Sequence, residues 1–196
     1  MEKIIKTSKI IVTVLKVFFW VIATVSIVAL AATAVVLIFG GGAGAIEGLS
    51  ITLGDYSLLL KGEYPLKRFA PLLGITLANV AVFGALSCYM IRTLRAIFEP
   101  MSHGRPFSTN VSGALKKLSY AVLIFGIVRI AMQTATNYLF FDAFDIPSLF
   151  AADKVASCSI AEVSDISFIL WFILLRLISH VFKYGETLQQ LSDETL

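Results

Sequence analysis

An all-α membrane protein is the fold class this sequence predicts: a four-helix transmembrane bundle with a small extracellular β-hairpin and a cytoplasmic C-terminal helix. Three observations carry the prediction. Hydrophobic residues make up 58% of the 196 and charged residues only 15%, with a mean hydropathy of +0.87, whereas a soluble domain carries about a quarter charged residues. The apolar excess is gathered into four runs with few or no charges. Lysine and arginine are then distributed unequally between the two sides that four crossings create.

The first run, 10–39, holds one charge, Lys16; the second, 71–91, holds none. The third, 118–141, contains Arg129, and the fourth, 166–182, contains Arg176. A spanning helix needs roughly 20 apolar residues, so each run qualifies, and residues 1–196 form a single transmembrane domain. A signal-peptide core is about 7 to 15 residues long; the first run is twice that, so it is expected to be a retained span although Ala43-Gly44-Ala45 offers small residues. Ser159 and Glu162 have the spacing of a capping box that would open the fourth helix early. Gly185 is its expected stop.

With the N-terminus inside, nine Lys and Arg residues fall in cytoplasmic segments and four in outer ones, three lying within the runs. The positive-inside rule therefore places both termini in the cytoplasm, with outer loops 40–70 and 142–165, an inner loop 92–117 and an inner tail 183–196. The second outer loop agrees, holding five acidic residues against Lys154. In the first, Leu49 to Leu53 alternates apolar and polar, Gly54-Asp55 offers a turn and Tyr56 to Leu60 follows, which predicts the hairpin. In the inner loop the second helix is expected to end at Glu99, because proline disfavours a helical residue before it. Ser108 or Thr109 would cap the third helix.

Two segments are the most patterned: Gly104-Arg105-Pro106-Phe107-Ser108-Thr109-Asn110, leading into a Leu-Lys-Lys-Leu helix start, and the tail from Phe182 to Leu196. With four spans and a β-like first outer loop, they make the chain resemble a bacterial membrane family known as domain of unknown function 2975. The resemblance covers nearly the whole chain and implies the bacterial plasma membrane. Members are often encoded beside a small helix-turn-helix regulator, which implies a cytoplasmic regulatory protein as partner. The resemblance brings no catalytic residue with it.

The residues that could carry chemistry are few. Arg129 lies about halfway along the third run, with Gln133 and Asn137 on the same helical face. A charge at such depth is costly and should face the bundle or a wet cavity. Two readings follow for Arg129, Arg176, Gln133, Asn137 and Asn79: a pocket for an anion or lipid headgroup, or arginines that merely lock the bundle through carbonyls and amides. Lys16 reads as a snorkelling cation. Gly74, Ala78, Ala81 and Ala85 recur at helical spacing, as Ser26, Thr33 and Gly40 do in the first run. Small residues of this kind let helices approach closely in lipid, within the bundle or in a homo-oligomer.

Enzyme chemistry is not expected: no nucleophile with its base, no paired acids and no Cys/His metal spacing is present, so neither cofactor nor metal is implied. A net charge of +3 gives no basic field for direct nucleic-acid binding. The leading expectation is a non-enzymatic sensing, regulatory or interaction protein in the lipid bilayer. Its contacts would come from Arg105, Pro106, Phe107, Ser108 and Asn110 together with Leu188 and Leu191, a narrow apolar stripe expected to dock at the cytoplasmic face. One alternative is a small carrier or pore for an anionic or amphipathic solute; another is an immunity protein against a membrane-active peptide.

Overall fold

A computed structural model describes residues 2–39, 45–47, 50–53, 56–59, 63–65, 69–103, 111–143 and 165–194. Four helices dominate: α1 (Glu2–Phe39), α2 (Ala70–Ser102), α3 (Val111–Ala143) and α4 (Ser167–Glu194). All four are long and apolar enough to cross a membrane. At 1.5 Å per residue even α4 measures about 42 Å, beyond the roughly 30 Å hydrocarbon layer. Their apolar side chains face outward in number, with Trp20 at 63%, Ile38 at 73% and Leu170 at 71% exposure. So much apolar surface is untenable in water and natural in lipid. The chain is a multi-pass membrane protein.

The expected fold class needs correction. What stands is four long apolar helices, with no strand among their residues. A single hairpin of residues 49–60 does not describe the segment 45–65: four short strands pair there in two separate antiparallel two-stranded sheets. β1 (Ala45–Glu47) pairs with β4 (Glu63–Pro65), and β2 (Ser50–Leu53) with β3 (Tyr56–Leu59), Leu53 opposite Tyr56. The separate C-terminal helix is also corrected. α4 runs unbroken through Gly185 to Glu194, because Glu186 just beyond it is held from the side.

The helix ends differ from expectation in two further places. α2 continues through Pro100 to Ser102. Proline removes one intrahelical donor, and here that loss falls in the last turn, which closes by His103 N–H to the Pro100 carbonyl (3.1 Å) and the Ser102 hydroxyl to the Glu99 carbonyl (2.7 Å). At the start of α4, Asp165 acts as the cap, its Oδ1 accepting the Ser167 N–H at 2.9 Å. The Ser159–Glu162 capping box and the Ser108 or Thr109 cap lie outside the described residues.

Contacts divide the chain into two compact units. Unit 1 comprises residues 1–27, 82–131 and 163–196; unit 2 comprises 28–81 and 132–162. Within unit 1 successive helices run antiparallel: Gly84 of α2 meets Ser26 of α1, Phe83 of α2 meets Phe125 of α3 and Gly126 of α3 meets Phe168 of α4. The buried core gathers where α2 ends and α3 begins, around Ile97, Val111, Ala114, Leu115 and Leu118, with Leu175, Ile178 and Phe182 of α4 packed on it. Within unit 2, Asn79 Nδ2 donates to Thr136 Oγ1 at 3.1 Å, and Thr136 in turn donates to the Met132 carbonyl.

Candidate functional site

Unit 1 holds a buried carboxylate, Glu186, only 7% exposed. Its Oε1 accepts the backbone N–H of Ser112 at 2.9 Å and its Oε2 the Ser112 hydroxyl at 2.7 Å. The first N–H groups of any helix lack intrahelical acceptors and carry partial positive charge. The first turn of α3 has no acid of its own, so α4 supplies one across the seam. Two turns earlier along α4, buried Ser179 donates its hydroxyl to the Ser112 carbonyl at 2.9 Å. Both backbone groups of a single α3 residue are thus held by α4, forming a polar latch.

Two cavities flank the neighbouring part of α2. One, of about 600 Å³, is lined by Tyr89, Arg92, Thr93, Glu99 and Lys117 with the small residues of the first α3 turn. The other, of about 350 Å³, lies between α1 and α2 and is lined by Lys16, Phe19, Trp20, Arg92 and Arg95. Arg92 borders both. Spacings of three and four residues put Lys16, Phe19 and Trp20 on one face of α1, and Arg92 and Arg95 on one face of α2.

The residues expected to form a polar pocket are placed as follows. Arg129 lies beside the start of α4, its Nη1 3.6 Å from Asp165 Oδ2, with both side chains about half exposed. It therefore stands level with the start of α4, and it has in Asp165 the counter-charge that the runs themselves do not contain. The Ser167 N–H and then the Ser167 hydroxyl hold the Asp165 carboxyl below its ordinary 3.8; partial burial opposes this, and the Arg129 charge lowers it further. Arg176 sits over the Tyr120 ring at 5.4 Å from its centroid, a cation–π contact. Those two arginines belong to unit 1; Asn79, Gln133 and Asn137 belong to unit 2, where Asn79 bonds Thr136, Gln133 is exposed and Asn137 half-buried.

Arg105, Pro106, Phe107, Ser108 and Asn110 lie outside the described residues. Leu188 and Leu191, expected to dock as a stripe, are 50% and 54% exposed; what fixes the tail is Glu186. Of the small-residue series, Ala81 and Ala85 are exposed, Ala78 is half-buried, and a side chain added at Gly74 would meet nothing within 4 Å. The close approach is at Gly84 instead, where an added Cβ would lie 2.6 Å from Ser26 Oγ. Sequence reasoning passed over Glu186 because it follows a glycine read as a stop. The available signal was an acid-free α3 start on one helix and a lone acid next to the apolar part of another. No protein-family model, curated protein or solved structure matches the chain.

Proposed function

We propose that this chain is a non-enzymatic integral membrane protein of the bacterial plasma membrane, with both termini in the cytoplasm, that senses or regulates by presenting its latched α3–α4 end to a cytoplasmic regulatory protein. One observation carries the reading. The Glu186–Ser112 latch fixes the polar extension of α4 against the start of α3 while Leu188 and Tyr184 remain outward, at 50% and 69% exposure. A helix too polar for lipid and held rigidly at one side is suited to groove recognition by a partner. The bacterial membrane comes from the family resemblance, and the orientation from nine cytoplasmic against four outer Lys and Arg residues. The carrier alternative drew on Arg129 and Arg176, and each of these has its own neighbour in Asp165 or Tyr120.

Two measurements test this reading. Cys158 should react with a membrane-impermeant thiol reagent in whole cells, and a cysteine at Thr187 only after permeabilisation; the reverse pattern refutes the orientation. A strain carrying only Leu188→Asp should reproduce the transcript profile of a deletion strain while the protein stays inserted at wild-type level. A wild-type profile in that strain refutes the partner role.

A further inference from the structure

The α1–α2 cavity concentrates charge without matching it. Three of its lining side chains are cations: Lys16, Arg92 and Arg95. Arg95 alone has an acid, Glu99, and only at 3.5 Å through one Nη2. Lys16 and Arg92 make no hydrogen bond or ion pair among the described residues. An anion with several oxygens answers that charge, and a guanidinium fork matches the geometry of phosphate.

The surroundings specify what carries that phosphate. Phe19 and Trp20 line the same space, and Trp20 is 63% exposed on a helix whose outward face is apolar. Lys16 lies six residues into the first apolar run, and Arg92 directly follows the second. Those positions set the cations at headgroup level with aromatic and apolar side chains beneath them. Tryptophan favours that level, and basic pockets between spanning helices suit anionic headgroups. We propose that the α1–α2 cavity of unit 1 binds the phosphate of an anionic phospholipid, held by Arg92, Arg95 and Lys16, with the start of its acyl chains against Phe19 and Trp20. The site is independent of any cytoplasmic partner.

Trp20 can report on its own site. Trp171→Phe leaves it as the single tryptophan of the chain, and the full-length protein is reconstituted in phosphatidylcholine vesicles with brominated phosphatidylglycerol or brominated phosphatidylcholine. A cation at a membrane surface favours an anionic lipid about fivefold. Brominated phosphatidylglycerol should therefore quench Trp20 with more than about fivefold preference. Lys16→Gln with Arg92→Gln, which spares the Arg95–Glu99 pair, should abolish most of that preference. Arg92→Lys should keep most of it, and Lys6→Gln with Lys9→Gln, removing exposed cations outside the cavity, should change it little. Equal quenching by the two lipids overturns the proposal. So does a preference that survives the cavity variant, falls equally with Lys6 and Lys9, or is lost with Arg92→Lys. Inorganic phosphate at matched ionic strength should leave the preference in place; if it alone erases it, the lipid assignment falls and a soluble phosphate is the occupant.

Discussion

Along α3 and α4 of unit 1, contact follows contact: Ser112 with Glu186 and Ser179, Tyr120 with Phe172 and Arg176, Gly126 with Phe168, and Arg129 with Asp165. Along α1 and α2 of the same unit, Gly84 closes on Ser26 and the helices then leave a cavity lined by three cations. None of the most apolar window of α1 is buried, against 22% of that of α3. Lipid is as apolar as leucine, so apolar side chains alone give helices little reason to prefer each other over the bilayer. The α3–α4 seam is specified by groups lipid cannot replace: carboxylate, hydroxyl, aromatic face and a glycine notch. Among the described residues the α1–α2 seam has the close approach of Gly84 to Ser26 and a cavity, while much of the apolar surface of α1 faces outward.

Breaking the latch should have the largest effect. Glu186→Ala leaves the Ser112 N–H and hydroxyl without their carboxylate. Hydrogen bonds to charged groups contribute about 1.5–3 kcal/mol each, and the two share one residue, so a loss of about 2–4 kcal/mol is expected. Glu186→Gln keeps an acceptor and should lose less. Denaturant titration of the purified protein in mild detergent measures both. A loss below about 0.5 kcal/mol for the alanine variant would make the latch incidental.

Next is the notch. The Phe168 ring lies where a Cβ on Gly126 would stand, so Gly126→Ala must displace an aromatic side chain packed in a helix seam. Overpacking of this kind costs about 1–3 kcal/mol. Adding Phe168→Leu should recover part of that cost, because it removes the atoms that collide. If the double variant is as unstable as the sum of the singles, the two residues do not meet as described.

A paired comparison of glycines in α2 is sharper in sign than in size. Gly74→Ala adds a methyl where nothing lies within 4 Å, so it should gain up to about 1 kcal/mol of helix propensity. Gly84→Ala meets Ser26 Oγ at 2.6 Å and Ser26 Cβ at 2.9 Å, and should lose about 1 kcal/mol or more despite that propensity. Ser26→Ala would relieve only the hydroxyl contact. Thermal unfolding of the two variants side by side should show opposite shifts; shifts of the same sign would remove the distinction between the sites.

This pattern also explains what was legible beforehand. Span number follows from the lengths and charges of the apolar runs, and bilayer thickness enforces that relation. The partner of each helix face does not follow. Gly74, Ala78, Ala81, Ala85 and Gly84 are all small residues of α2, and only the register with Ser26 distinguishes Gly84. Arg129 could be recognised as needing a counter-charge, yet Asp165 lies 36 positions away in sequence. Glu186 was obscured by local reasoning, since glycine stops many helices, whereas here α4 continues and Glu186 reaches Ser112. The β1–β4 ladder of residues 45–65 depends on pairing across the whole segment, and three-residue strands have too little alternation to signal that.

The smallest expected effect lies at the other end of the α3–α4 seam and turns on what holds Asp165 ionised. Its carboxyl is held below 3.8 chiefly through the Ser167 N–H and hydroxyl, with the Arg129 charge the weakest of the influences on it. A folded-state value below the unfolded one means that the contribution to stability is present above about 3.9, the unfolded carboxyl value, and is lost as pH falls through the lower folded value. Both groups are about half exposed, and exposed ion pairs contribute little. Arg129→Gln should therefore leave the Asp165 titration, followed by carboxyl NMR, almost where it was, while Ser167→Ala should raise it visibly. Asp165→Asn should preserve the helix start, because asparagine caps about as well as aspartate, and should remove the acid-side dependence. A larger rise with Arg129→Gln than with Ser167→Ala would instead make the ion pair, and not the cap, the contact that fixes this end of the seam.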